Sequence, residues 1–225
     1  MSWFGDFYKS AVGKKAVMAV SGIILFGFVL VHMIGNLKLY EGPQVLNNYA
    51  GFLRSVGSPA IPPSGLLWLA RSILLAAVLL HMWAAWQVTR MSQKARPIAY
   101  SRRGVVQASY ASRTMRWGGV IILLFVVYHL LDLTFGTLNP AYREGDVFHN
   151  VVASFSVWWV AAFYVVAQVA LGFHLYHGLW SMFQTLGIHQ PKYTAAYKKL
   201  ALVIALLIVL GYISIPISVL LGLVK

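Results

Sequence analysis

The chain has 225 residues, of which 60% are hydrophobic and only 10% charged, with a mean hydropathy of +0.72, values that exclude an ordinary soluble domain and describe an integral membrane protein. A net charge of +13 would suggest nucleic acid in a soluble protein, but here the basic residues flank apolar runs, which assigns them to the membrane surface and not to a nucleic-acid partner. Cysteine is absent, which excludes disulfides, cysteine-held iron–sulfur clusters, zinc fingers and covalent C-x-x-C-H heme attachment.

Five apolar runs, 16–37, 66–88, 117–138, 151–183 and 200–224, each supply the roughly 20 helical residues that cross a hydrocarbon core. The expected fold is all-α: one polytopic transmembrane domain over 1–225 with no internal repeat, its first four helices forming a bundle. The first run follows Lys9, Lys14 and Lys15 like a secretory signal, yet it exceeds an h-region and lacks a small-residue cleavage site, so it reads as a retained helix. In the loop after it, Val45, Leu46, Tyr49, Phe52, Leu53 and Val56 recur at helical spacing, predicting a short interfacial helix over Pro43 to Ser55 that Pro59, Pro62 and Pro63 terminate.

The second run leads into Arg90, Lys94, Arg96, Arg102, Arg103, Arg113 and Arg116, a strongly basic stretch before the third. At 1.5 Å per residue the fourth run would extend about 50 Å, so it is expected to tilt or protrude. In the fifth, Pro216 predicts a kink. Trp68, Trp117, Trp158, Trp159 and Trp180 fall near run boundaries, where an amphipathic ring is most comfortable. With the N-terminus inside, 13 of the 18 basic residues lie on the inner side, including Lys192, Lys198 and Lys199. Lys38, Arg54, Arg71, Arg143 and Lys225 lie outside with the acids Glu41, Glu144 and Asp146. The positive-inside rule therefore selects N-in, C-out, and the Arg90 to Arg116 stretch could also dock soluble subunits.

Four histidines sit one per run: His32, His81, His129 and His174. A lone imidazole in hydrocarbon must find a partner, at a cost of a few kcal/mol otherwise; four such residues in one small bundle call for one shared cause. Because alternate helices run in opposite directions, position along the chain converts to depth. His32 and His129 then fall toward the outer face, and His81 and His174 toward the inner. Each pair joins alternate helices, which face one another across a four-helix bundle. Two noncovalent hemes, stacked through the bilayer and each ligated from both sides, would satisfy all four rings. Such iron has no open position, which leaves one-electron transfer as its chemistry, with a quinone at one end. Gly22, Gly27 and Gly35 around His32, Ala84 and Ala85 after His81, and Gly172 and Gly178 around His174 leave room for a flat macrocycle.

Secondary positions follow. His177, one turn beyond His174, suits a hydrogen bond to a heme propionate. Arg71, and Arg113 or Arg116, are placed to pair with propionates or else to snorkel to the interface. Asp132 is the one acid inside a span, a candidate proton or quinone-site group, and Glu41 is the alternative acid just outside the first span. His149 and His189 read as solvated loop histidines. Two competing readings remain: a cytochrome b subunit of another quinone-linked dehydrogenase, or a heme-free transporter using the histidines and Asp132 as a proton relay.

Ser21-Gly22 followed by His32 and Gly35-Asn36-Leu37, Ser112-Arg113-Thr114 leading into Tyr128-His129, and Phe173-His174-Leu175-Tyr176-His177-Gly178-Leu179-Trp180-Ser181 together resemble the cytochrome b558 membrane anchor of succinate dehydrogenases and fumarate reductases. That resemblance spans all five runs and is most specific in the fourth. It implies five helices and two b hemes, with His32, His81, His129 and His174 as ligands. It also implies flavoprotein and iron–sulfur subunits on the inner face of a bacterial-type cytoplasmic membrane, and a quinone substrate of the menaquinone type. No dinucleotide fingerprint and no cluster ligands are present, so dicarboxylate chemistry would reside in those partners. This chain would supply anchoring, electron conduction and part of a quinone site.

Overall fold

A computed structural model describes residues 3–95 and 110–225, with side chains over 5–95 and 114–225; among the described residues its elements are all helices, joined by turns, with no strand. Arg96, Arg102 and Arg103, and the side chain of Arg113, lie outside them. Five helices are long and apolar enough to cross a membrane: α2 (Ala11–Asn36), α4 (Gly65–Lys94), α5 (Tyr110–His129), α7 (Trp158–Thr185) and α8 (Thr194–Leu220).

A short helix the hydropathy pattern does not announce, α1 (Trp3–Lys9), precedes them. Ser10 ends it and starts α2, its hydroxyl accepting from the Gly13 N–H at 3.0 Å, which satisfies one donor of the new helix's first turn. Lys14 reaches back to donate to the Tyr8 and Lys9 carbonyls at the C-terminus of α1, where a cation complements the helix dipole.

After α2, a 3₁₀ turn over Leu37–Glu41 and Gly42, at φ +102°, redirect the chain into α3 (Pro43–Ser55), which has proline in its first turn, a position where the missing N–H costs nothing. Leu46 points inward, while Phe52 and Leu53 stay exposed, as an interfacial helix requires. Tyr49 lies so close to Gly35 that a Cβ there would come within 2.8 Å of its ring; only glycine lets α3 settle onto the end of α2.

The fourth apolar run is not one long helix. It breaks into α6 (Val147–Phe155) and α7, with Ser156 and an extended Val157 at the corner. The Ser156 hydroxyl turns back to the Val152 carbonyl at 2.7 Å, competing with the ladder that would have carried the helix through. The expected tilt of a helix of about 50 Å is thereby replaced by a membrane helix of 28 residues, about 42 Å long, and a short helix lying across its end. Asp146 caps α6 by accepting from the His149 N–H, and its carboxyl also accepts from the Asn47 side chain of α3 at 2.9 Å. Those two hydrogen bonds, the Asn47 one foremost, hold Asp146 below the usual carboxylate range.

The 3₁₀ turn, α3 and α6 make a cap over one end of the bundle. Leu39, Leu46, Phe148, Phe155, Val160, Ala161, Tyr164, Ile215 and Val219 form its buried core. Beneath the cap, α2 packs on α4, α5 on α7 and α7 on α8, with a lighter α2–α7 contact. Helix α8 continues through Pro216 to Leu220 and sets Ala201, Ala205 and Ile208 against its neighbours. The α2–α4 and α5–α7 pairs are the two layers from which the histidines meet.

Candidate functional site

At the capped end, His32 comes from the last turns of α2 and His129 from the last residue of α5. Their ring centroids are 5.9 Å apart with planes at 83°. Phe28, one turn before His32, stacks on it at 5.1 Å and 16°, and Tyr212 of α8 stands 6.3 Å away. Toward the N-terminal end of α2 a second pair forms: His81 of α4 and His174 of α7, with centroids 6.1 Å apart and planes at 59°.

The two levels can be spaced from either layer. Gly22 of α2 lies against His81, its Cβ position 3.3 Å from Cε1, and Gly119 of α5 lies against His174 at 3.9 Å. Ten residues separate Gly22 from His32, and ten separate Gly119 from His129; both intervals put the levels about 15 Å apart. That agreement between independent helices makes the arrangement a stack and not two unrelated contacts.

Hydrogen bonding sets the ring tautomers. His81 Nδ1 lies 3.0 Å from the Met18 carbonyl, which can only accept, so Nδ1 carries the proton and Nε2 keeps its lone pair. Ser21 adds a second contact to Nδ1 at 3.4 Å. His129 Nδ1 lies 3.4 Å from the Tyr164 hydroxyl, which in turn donates to Asp132 Oδ2 at 2.8 Å. The Ser154 hydroxyl donates to the same oxygen at 2.6 Å. His174 Nδ1 is buried with no hydrogen-bond partner among the described residues.

These pairs fit a heme. Two imidazoles bonded at about 2 Å to one metal from opposite sides have centroids about 6 Å apart, the separation of both pairs. Among the described residues no cluster of three or more His, Cys, Asp or Glu could hold a bare ion. A group that brings its own equatorial ligands matches two-imidazole donor sets where a naked cation does not. The partner of His81 Nδ1, a backbone carbonyl, is also the outer-shell acceptor that metal-bound histidines require.

The remaining sequence candidates lie elsewhere. Among the described residues, no hydrogen bond or ring contact joins Arg71, Arg116 or Glu41 to the histidines: Arg71 stacks on the Trp68 ring at 4.9 Å, Arg116 is exposed beside Trp117, and Glu41 pairs with Lys38 at 3.5 Å. His177 is half-buried one turn beyond His174. Asp132 is not at the surface of a cleft; it is 2% exposed, and its Oδ2 accepts from both Ser154 and Tyr164. His149 and His189 are not simply solvated: both are half-buried, bonded to the Ala141 carbonyl and the Thr194 hydroxyl respectively. Sequence alone assigns no site role to Met18, Ser154 and Tyr164, and Ser21 enters only within a stretch that carries the family resemblance. Ser154 and Tyr164 carried a signal, hydroxyls inside an apolar run; a backbone carbonyl such as that of Met18 carries none.

Comparison with known proteins adds one finding. The family model described as "Succinate dehydrogenase/Fumarate reductase transmembrane subunit" matches residues 91–213, more than half of the chain. That stretch contains His129 and His174 and runs from the end of α4 into α8; His32 and His81 precede it. No curated protein and no solved structure matches the chain.

Proposed function

The chain belongs to the succinate dehydrogenase/fumarate reductase transmembrane subunit family, and from that membership we propose that it is a diheme b-type anchor conducting electrons between an iron–sulfur subunit and a membrane quinone. His32 and His129 would hold one heme and His81 and His174 the other. The observation that carries this reading is the pair of opposed imidazoles at each of two levels, at separations of 5.9 and 6.1 Å.

Held by these histidines, each heme would supply a reversible one-electron couple. The chain's own residues do the rest. The Met18 carbonyl fixes the His81 tautomer, Phe28 restrains His32 by stacking, and the apolar helices around both levels exclude water. Two levels about 15 Å apart along the helices form a path along the membrane normal.

By the positive-inside rule the N-terminus and the basic 90–116 segment face the cytoplasm of a bacterial-type membrane, and the C-terminus faces outward. The flavoprotein and iron–sulfur subunits would dock on that basic side, next to the His81–His174 level. The quinone, of menaquinone type, would exchange electrons near the capped, outer end. Dicarboxylate chemistry belongs to the soluble partners, and the opposite direction, quinol oxidation with fumarate reduction, uses the same parts.

Purification of the chain with its complex tests this. The expected result is a b-type visible spectrum, two hemes per chain, and co-purifying flavin and iron–sulfur proteins. A colourless, folded preparation, or partners of another dehydrogenase, overturns it.

A further inference from the structure

Asp132 sits in a π turn over Leu130–Thr134, directly after His129, closed by the Phe135 N–H to the Leu130 carbonyl at 2.8 Å. Such turns interrupt helices at functional positions more often than elsewhere. Its carboxyl is 2% exposed and held from two other helices, by Ser154 of α6 and Tyr164 of α7. Among the described residues, no lysine or arginine lies within ion-pair distance of it. Both of its donors are hydroxyls, and one of them leads on to an imidazole.

Tyr164 connects it to His129. The phenol has a single proton, donated to Asp132, so its oxygen is left to accept, and His129 Nδ1 stands 3.4 Å from it. The result is a relay from imidazole N–H to phenol oxygen and from phenol O–H to carboxylate, a one-residue extension of the carboxylate–histidine–metal arrangement that raises ligand basicity. Among the described residues the other ring pair has no counterpart: His81 leans on a neutral carbonyl, and His174 Nδ1 has no hydrogen-bond partner.

Resting on the two-heme reading, we propose that Asp132, acting through Tyr164 on His129, is a built-in anion that favours the oxidised form of the heme held by His32 and His129. Oxidised iron carries one more positive charge than reduced iron, so a nearby anion and a more basic ligand act in the same direction and lower the reduction potential. Ser154 holds the carboxylate in register. Tyr164 and Asp132 are positioning residues, acting through His129.

Redox titration of the purified complex, resolving the two hemes by visible absorption and electron paramagnetic resonance, tests this on Tyr164→Phe and Asp132→Asn. The expected outcome is a raised midpoint potential for the His32–His129 heme in both variants, with the His81–His174 heme unchanged. Two hemes with unmoved potentials, or equal shifts in both, overturn the proposal while leaving the two-heme reading standing. A wild-type complex without heme overturns that reading itself. Should Asp132→Asn fail to assemble, Tyr164→Phe removes only a hydroxyl and reads the same potential.

Discussion

The Met18 carbonyl on α2 receives the Nδ1 proton of His81 on α4 at 3.0 Å, tying that imidazole to the backbone of the neighbouring helix. Such an acceptor cannot be removed by changing a side chain, but the contact beneath it can be crowded. Gly22 lies on the same face, where any Cβ would stand 3.3 Å from His81 Cε1. Gly22→Val should push the ring off its acceptor and leave one heme per chain instead of two. The loss should be confined to the His81–His174 level, as measured by pyridine hemochrome ratio and by which spectral component disappears.

Replacing either member of a pair should remove that pair's heme alone. His129→Ala and His32→Ala are expected to give the same one-heme spectrum, and His81→Ala and His174→Ala the complementary one. A variant from one level that abolishes the other level's signal would contradict the pairing.

Orientation has a direct test because the chain lacks cysteine. Single cysteines placed near Lys9 or Lys94 should be shielded from a membrane-impermeant thiol reagent in intact cells. One at Lys225 should be labelled. The reverse pattern would refute the N-in arrangement.

Asp146 gives the cap over the bundle a pH dependence. Its carboxyl is held below its ordinary value by the Asn47 side chain and the His149 N–H, so the charged form is the one the fold prefers. The stabilisation is complete above the unfolded-state carboxylate range and is lost as pH falls through the lower folded value. Asp146→Ala should cost about 1 kcal/mol through the lost helix cap and flatten the acid side of the thermal-stability profile. Asp146→Asn should keep much of the cap and lose the pH dependence.

Membrane crossing was legible from local information: 20-residue hydropathy marks the five spans, and the helical spacing of Val45, Leu46 and Tyr49, with Pro43 ahead, reproduces the bounds of α3. Alternating helix direction predicts which histidines share a level, and the structure brings together His32 with His129 and His81 with His174. Apolarity alone could not locate the corner at Ser156, since Phe155, Val157 and their neighbours are as hydrophobic as a continuous helix would be.

The amino-acid order by itself determined the class of molecule, the number of crossings and the four imidazoles available to a cofactor, since hydropathy and helical rise depend only on neighbours along the chain. The tertiary structure alone decided what steadies those imidazoles. Tyr164 and Asp132 are 32 residues apart, Ser154 and Asp132 are 22 apart, and His81 and Met18 are 63 apart. Such polar partners are chosen by which faces the packed helices turn toward each other, and no local pattern encodes that choice.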